Sequence, residues 1–111
     1  MISAVLYRNG NRYTGFRASG HSGYAERGSD IVCAGVSCLS ITCVNALESL
    51  LGVQTDPGMD EETGLLAFEL PELSGERESG AQLLMAALGQ GLSDLQDAYP
   101  GYVKYEIKER R

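Results

Sequence analysis

The 111-residue sequence predicts an α+β fold, a mainly antiparallel sheet packed against two helices. Three observations carry the prediction. Two short runs rich in β-branched and aromatic residues flank Asn9-Gly10, a hairpin signal because both central positions of a type I′ turn need positive φ. Two long stretches repeat apolar residues at three- and four-residue steps, the helical period. A late segment, YVKYEIK, alternates from residue to residue, the strand period. Together they give the order ββαββαβ in a single domain over residues 1–111.

Ile2–Arg8 is the first strand and Arg12–Ala18 returns as the second. Residues 20–29 form a loop with glycines at 20, 23 and 28. Ile31–Leu51 is the first helix, with Val32, Val36, Leu39, Cys43, Ala46, Leu47 and Leu50 as its apolar stripe. Ala34, Cys38 and Ile41 widen that stripe, which predicts burial on most sides. Gly52 stops the helix. Val53–Thr55 reads as a short strand, and Asp56–Thr63 (DPGMDEET) as an acidic turn or loop. Gly64–Leu70 is a strand that Pro71 ends. The second helix runs from Gly75 or Ser79 to the neighbourhood of Tyr99, with Ala81, Leu84, Leu88, Leu92 and Leu95 on one face. Gly89 and Gly91 weaken it and call for close approach of a neighbouring backbone. Tyr102–Lys108 is the last strand.

Composition narrows the function classes. Hydrophobic residues make up 43% of the chain, as expected of a folded domain. The absence of an unbroken run of about 18 apolar residues argues against a membrane span. The first residues, MISAVLYRNG, lack the basic and apolar regions of a secretory signal, which places the protein in the cytoplasm. Three cysteines are then expected as free thiols. The net charge of −6 disfavours direct nucleic-acid binding and suits a basic partner.

The chemistry concentrates in GHSGYAERGSDIVCAGVSCLS, residues 20–40. Ser29 and Asp30 are both good N-caps, and with Asp30 as the cap Cys33 sits at the third helical position. There the free N–H groups and the helix dipole favour an anion such as a thiolate. An unperturbed thiol is only about 3% ionised at pH 7, and a helix N-terminus with a nearby imidazole raises that fraction. His21, the only histidine, lies twelve residues upstream in the glycine loop. It suits a general base toward Cys33 and then a general acid toward a leaving amine. The charge of Asp30 opposes a thiolate unless it is spent on capping or on orienting His21. Gly20, Gly23 and Gly28 let the loop approach a substrate closely and make it mobile. An oxyanion hole is expected from the Cys33 N–H or its loop neighbours.

Cys33, Ser37 and Ser40 share a small, polar helix face, which either floors a cleft or packs against a backbone. Cys38 and Cys43 read as core. The three cysteines project roughly 140° apart around the helix, so they share no metal ion and form no redox pair. No cofactor or metal is expected. Pattern alone leaves bland roles open, because a loop histidine is often polar surface and a helical cysteine is often core.

Gly20-His21, Gly23, Gly28, Asp30-Ile31-Val32-Cys33-Ala34 and Val36-Ser37 closely resemble the motif of the ribosomal-processing cysteine protease (Prp) family. Chain length, the Asn-Gly hairpin, the long helix and the GLLAFEL strand fit the same family. The resemblance implies a cysteine endopeptidase that removes a short N-terminal extension from a large-subunit ribosomal protein. It implies His21 as base, Cys33 as nucleophile, Asp30 in support, a glycine-rich loop that orders over substrate, and a homodimer. It also implies a substrate with aromatic residues before the cut and a basic N-terminal tail after it, which agrees with the acidic charge. The rivals are a non-catalytic ribosome-assembly factor that docks on a basic ribosomal tail, and a thiol redox sensor. A binder has no use for a thiol beside a base, and a sensor lacks a resolving cysteine.

Overall fold

The structure is a computed structural model that describes residues 1–110. Strand β1 (Ile2–Asn9) alternates, with Ile2, Ala4 and Leu6 turned into the core. It turns at Gly10 into β2 (Arg12–Ser19), which adds Phe16 and Ala18. Because Asn9 pairs with Arg12 in the ladder, the turn is centred on Gly10-Asn11, one residue later than the sequence suggested. Only Gly10 takes a positive φ, +61°, the pattern of a type II′ turn.

Helix α1 (Ile31–Leu51) starts on Asp30, whose carboxylate accepts the N–H groups of Val32 and Cys33. It ends on Gly52 at φ +67°. There the N–H groups of Gly52 and Val53 reach the carbonyls of Glu48 and Leu47, and Val53 drops into the core. No strand forms at residues 53–55; the third strand, β3 (Gly58–Asp60), lies inside the stretch read as an acidic loop. Its three residues are all exposed, so no hydrophobic alternation marked it. Its pairing with β4 (Leu65–Glu69) defines it. Helix α2 (Gly75–Ala98) and β5 (Val103–Glu109) complete the chain.

The five strands form one sheet in the order β3-β4-β2-β1-β5. Every pairing is antiparallel except β1 with β5, which runs parallel from Ile2 opposite Val103. The inward residues of the sheet and the buried residues of both helices make one core. Each fully buried Leu, Phe or Met contributes roughly 1.5–3 kcal/mol relative to exposure. Phe16, Leu6, Leu47, Met85 and Leu92 therefore far outweigh the exposed pairs Arg8–Glu109 and Lys104–Glu106, worth about 0–1 kcal/mol each.

Two expectations about the helices are corrected. The structure buries α1 on one face only, through Val32, Val36, Ser40, Cys43 and Leu47. Ala34, Cys38 and Ile41 are exposed because a two-layer fold covers a single helix face, whereas Leu50 falls on the buried stripe but is 71% exposed at the end of the helix. By length and composition α1 would also pass as a membrane span, although its apolar run is broken by serines; here its buried face builds the core. The glycines of α2 make room for side chains rather than for a backbone. A Cβ on Gly91 would lie 2.7 Å from Leu39, and one on Gly89 would lie 2.5 Å from the Tyr105 hydroxyl and 2.9 Å from Leu6.

Candidate active site

A cavity of about 510 Å³ opens where the β2–α1 loop, the start of α1 and the β3–β4 turn meet. His21, Cys33, Asp30 and Ser37 line it, as do Gly20, Gly23 and Gly28. Its apolar wall includes Ile2, Ala18, Val36, Ile41, Leu65 and Leu66, and its rim carries Asp60 and Glu61. Cys33 is half-buried on the first turn of α1, while His21 is exposed on the loop. Ser37 and Ser40 continue the Cys33 face along the cavity. Ser40 is buried, and its hydroxyl donates to the Val36 carbonyl at 2.7 Å.

Asp30 is the hub of this region. One carboxylate oxygen caps α1 by accepting from Val32 and Cys33, both at 3.0 Å. The other accepts from the Ser22 hydroxyl and from the N–H groups of Tyr24 at 3.2 Å and Ala25 at 3.3 Å. Burial raises the carboxyl's proton affinity. The hydrogen bonds from Ser22, Cys33, Ala25 and Val32 outweigh it and hold the pKa down at about 2. Asp30 is thus ionised and spent on the cap and the loop. None of its hydrogen bonds among the described residues goes to His21. The Cys33 N–H is also committed to Asp30, so the oxyanion donor expected there is already taken.

Ser22 was not singled out by the sequence. It is 3% exposed, and its N–H donates to the Cys33 sulfur at 3.3 Å. No periodicity marks a serine in a loop, and only its eight-residue distance to an N-cap Asp could have hinted at it. The ring of His21 is held by the β3–β4 turn. Its Nε2 lies 2.7 Å from the Glu62 carbonyl, in the stretch read only as an acidic turn. The loop is fastened further by Tyr24, packed edge-on against Tyr99 and Tyr102, and by Arg27, which donates to the Glu61 carbonyl at 2.7 Å.

The other thiols are set apart. Cys38 is exposed, in an open groove it lines with Leu39 of α1 and Leu95 of α2, and not in the core as expected. Cys43 is buried, and burial pushes its thiol up to about 11. Among the described residues no cluster of His, Cys, Asp or Glu could hold a metal ion.

The arrangement is an imidazole and a thiol facing one cleft, with a backbone N–H already on the sulfur. Comparison with known proteins gives it a context. The family model for cysteine protease Prp matches residues 1–104. The ribosomal processing cysteine protease Prp of Bacillus subtilis is 35% identical over 101 residues, covering 89% of this chain and 90% of that protein. A crystal structure of the protein SMU.848 from Streptococcus mutans matches with a TM-score of 0.86 and 34% identity, over 99% of this chain and 96% of that one. A crystal structure of the Staphylococcus aureus ribosomal processing protease Prp, with a covalently linked product peptide, matches with a TM-score of 0.87 and 26% identity, over 97% of this chain and 100% of that one. This chain belongs to the Prp family of cysteine proteases.

Proposed function

We propose that this chain is a ribosomal-processing endopeptidase, which removes a short N-terminal extension from a large-subunit ribosomal protein with Cys33 as nucleophile and His21 as base. The observation that carries the reading is the shared cavity of Cys33 and His21, with the Ser22 N–H on the sulfur. In the first half-reaction His21 takes the thiol proton and the sulfur attacks the scissile carbonyl carbon. The C–N bond breaks as His21 returns the proton to the leaving amine. In the second, water gives a proton to His21 as its oxygen bonds to the acyl carbon, and the C–S bond breaks with the pair going to sulfur, which takes the proton back from His21.

The cleft also supports the substrate class. Its apolar wall offers aromatic side chains a place to bury surface, and the carboxylates of Asp60 and Glu61 attract a basic segment. The proposal includes a cytoplasmic setting, in keeping with three free thiols. It also includes a homodimer, which rests on the family resemblance.

The test is mass spectrometry of a peptide copying the N-terminal region of the host's own ribosomal protein, incubated with wild type and with Cys33→Ala. One cut by wild type and none by the variant is the expected result. A peptide that binds yet stays intact with wild type would overturn the protease reading in favour of a docking factor.

A further inference from the structure

We propose that the β3–β4 turn fixes the catalytic tautomer of His21 through the Glu62 carbonyl, with Asp60 as the positioning residue that shapes the turn. This rests on the reading of His21 as the base. A carbonyl oxygen can only accept a hydrogen bond, so the Nε2 that lies 2.7 Å from it carries the proton. The neutral ring has one proton to place. Nδ1 is therefore the nitrogen with the free lone pair, the one that takes the thiol proton.

In many hydrolases a carboxylate holds the histidine. Here the nearest candidate in the motif, Asp30, has both oxygens committed to the cap and the loop. The turn takes over that task with its backbone. Three consecutive carbonyls each receive a donor from the catalytic loop: Glu61 from Arg27 at 2.7 Å, Glu62 from His21, and Thr63 from the Gly20 N–H at 2.8 Å. Asp60 sets their direction, because its carboxylate accepts the Glu62 N–H at 3.0 Å and so pins the peptide unit next to the one that faces His21. Gly64, at φ +67°, closes the turn, and the Gly20 carbonyl occupies the space a Cβ would need. Loop and turn therefore meet backbone on backbone.

A single histidine makes the test direct, because ¹⁵N-histidine labelling gives one pair of ring-nitrogen signals. At a pH where the ring is neutral, wild type is expected to show a protonated Nε2 and an unprotonated Nδ1. Glu62→Ala, which keeps the carbonyl, is expected to leave that pattern in place. Asp60→Ala should mix the tautomers and lower kcat roughly tenfold, part of the ~10²–10⁴ that a general base supplies. Asp60→Asn keeps an acceptor oxygen and is expected to restore most of the lost kcat, while its missing charge appears in KM. A purely structural Asp60 would lower stability without moving the tautomer. An Nδ1-protonated wild type, or an Asp60→Ala enzyme with wild-type tautomer and kcat, overturns the proposal. If wild type cleaves no peptide while Nε2 stays protonated, the protease reading fails and the positioning of His21 stands.

Discussion

Replacing Asp30 separates two tasks that one carboxylate performs. Asp30→Ala removes the helix cap on Val32 and Cys33, a loss of about 0.5–2 kcal/mol. It also strands the buried Ser22 hydroxyl, at about 1–3 kcal/mol, whereas the exposed Tyr24 and Ala25 amides can turn to water. The total is about 1.5–5 kcal/mol, or roughly 6–30 °C in Tm for a domain of this size. Asp30→Asn keeps a capping oxygen but turns an NH₂ toward the donors of residues 22, 24 and 25. It should lose about half as much stability by the same reckoning, yet release the loop and take the Ser22 N–H off the Cys33 sulfur. Thermal melts, hydrogen exchange at residues 22–29 and peptide cleavage, measured side by side, read the two tasks separately. There is a pH signature as well. The folded pKa of Asp30, about 2, lies below the unfolded value of 3.8, so its stabilisation is complete above pH 5 and fades as pH falls through 3.8 toward 2. The stability gap between wild type and Asp30→Asn should narrow over that window. An Asn variant with wild-type loop protection and activity would refute the idea that the ionised carboxylate holds the loop.

Two further outcomes are expected. Iodoacetamide should label Cys33 faster than the exposed Cys38, and Cys43 should stay unlabelled in the native protein, since it is buried with its thiol pushed up to about 11; peptide mapping of a time course would show the order, and equal rates at Cys33 and Cys38 would count against an activated nucleophile. Gly89→Ala should destabilise the fold by about 1–3 kcal/mol, because its Cβ meets the Tyr105 hydroxyl and Leu6, and Tyr105→Phe should recover part of the loss in a double-mutant cycle of denaturant melts.

The sequence spoke most clearly where a local rule acts alone. Gly52 ends α1 as expected and Asp30, one of the two cap residues the sequence offered, starts it, because caps act over one turn of chain. His21, Cys33 and Ser37, which line one cavity, were singled out through the motif of the family resemblance. What stayed hidden depends on distance in space. Strand β3 exists only as a partner of β4, with three exposed residues and no pattern of its own. The exposed outer face of α1 looked like core because apolar composition does not say how many layers will cover it. Glu62 reaches His21 through its backbone carbonyl and Ser22 reaches the Cys33 sulfur through its backbone N–H, groups that carry no residue-specific signal, and the Ser22 hydroxyl meets Asp30 only through the folding of the loop.

The parallel ladder between β1 and β5 bears on the order of assembly. The β1–β2 hairpin can close as soon as its turn exists, but β1 waits for a partner made almost a full chain length later, with Ile2 opposite Val103. Ile2 is also a wall of the cleft, and its N–H is held by the Tyr102 carbonyl. While the protein is being synthesised, the cleft therefore lacks a fixed wall until residues 102–109 have emerged and docked. A nascent chain carries the thiol and the imidazole from early on, yet gains a substrate-shaped site only at the end of its own translation. Truncation before β5 would leave β1 as an unprotected sheet edge, an invitation to intermolecular pairing.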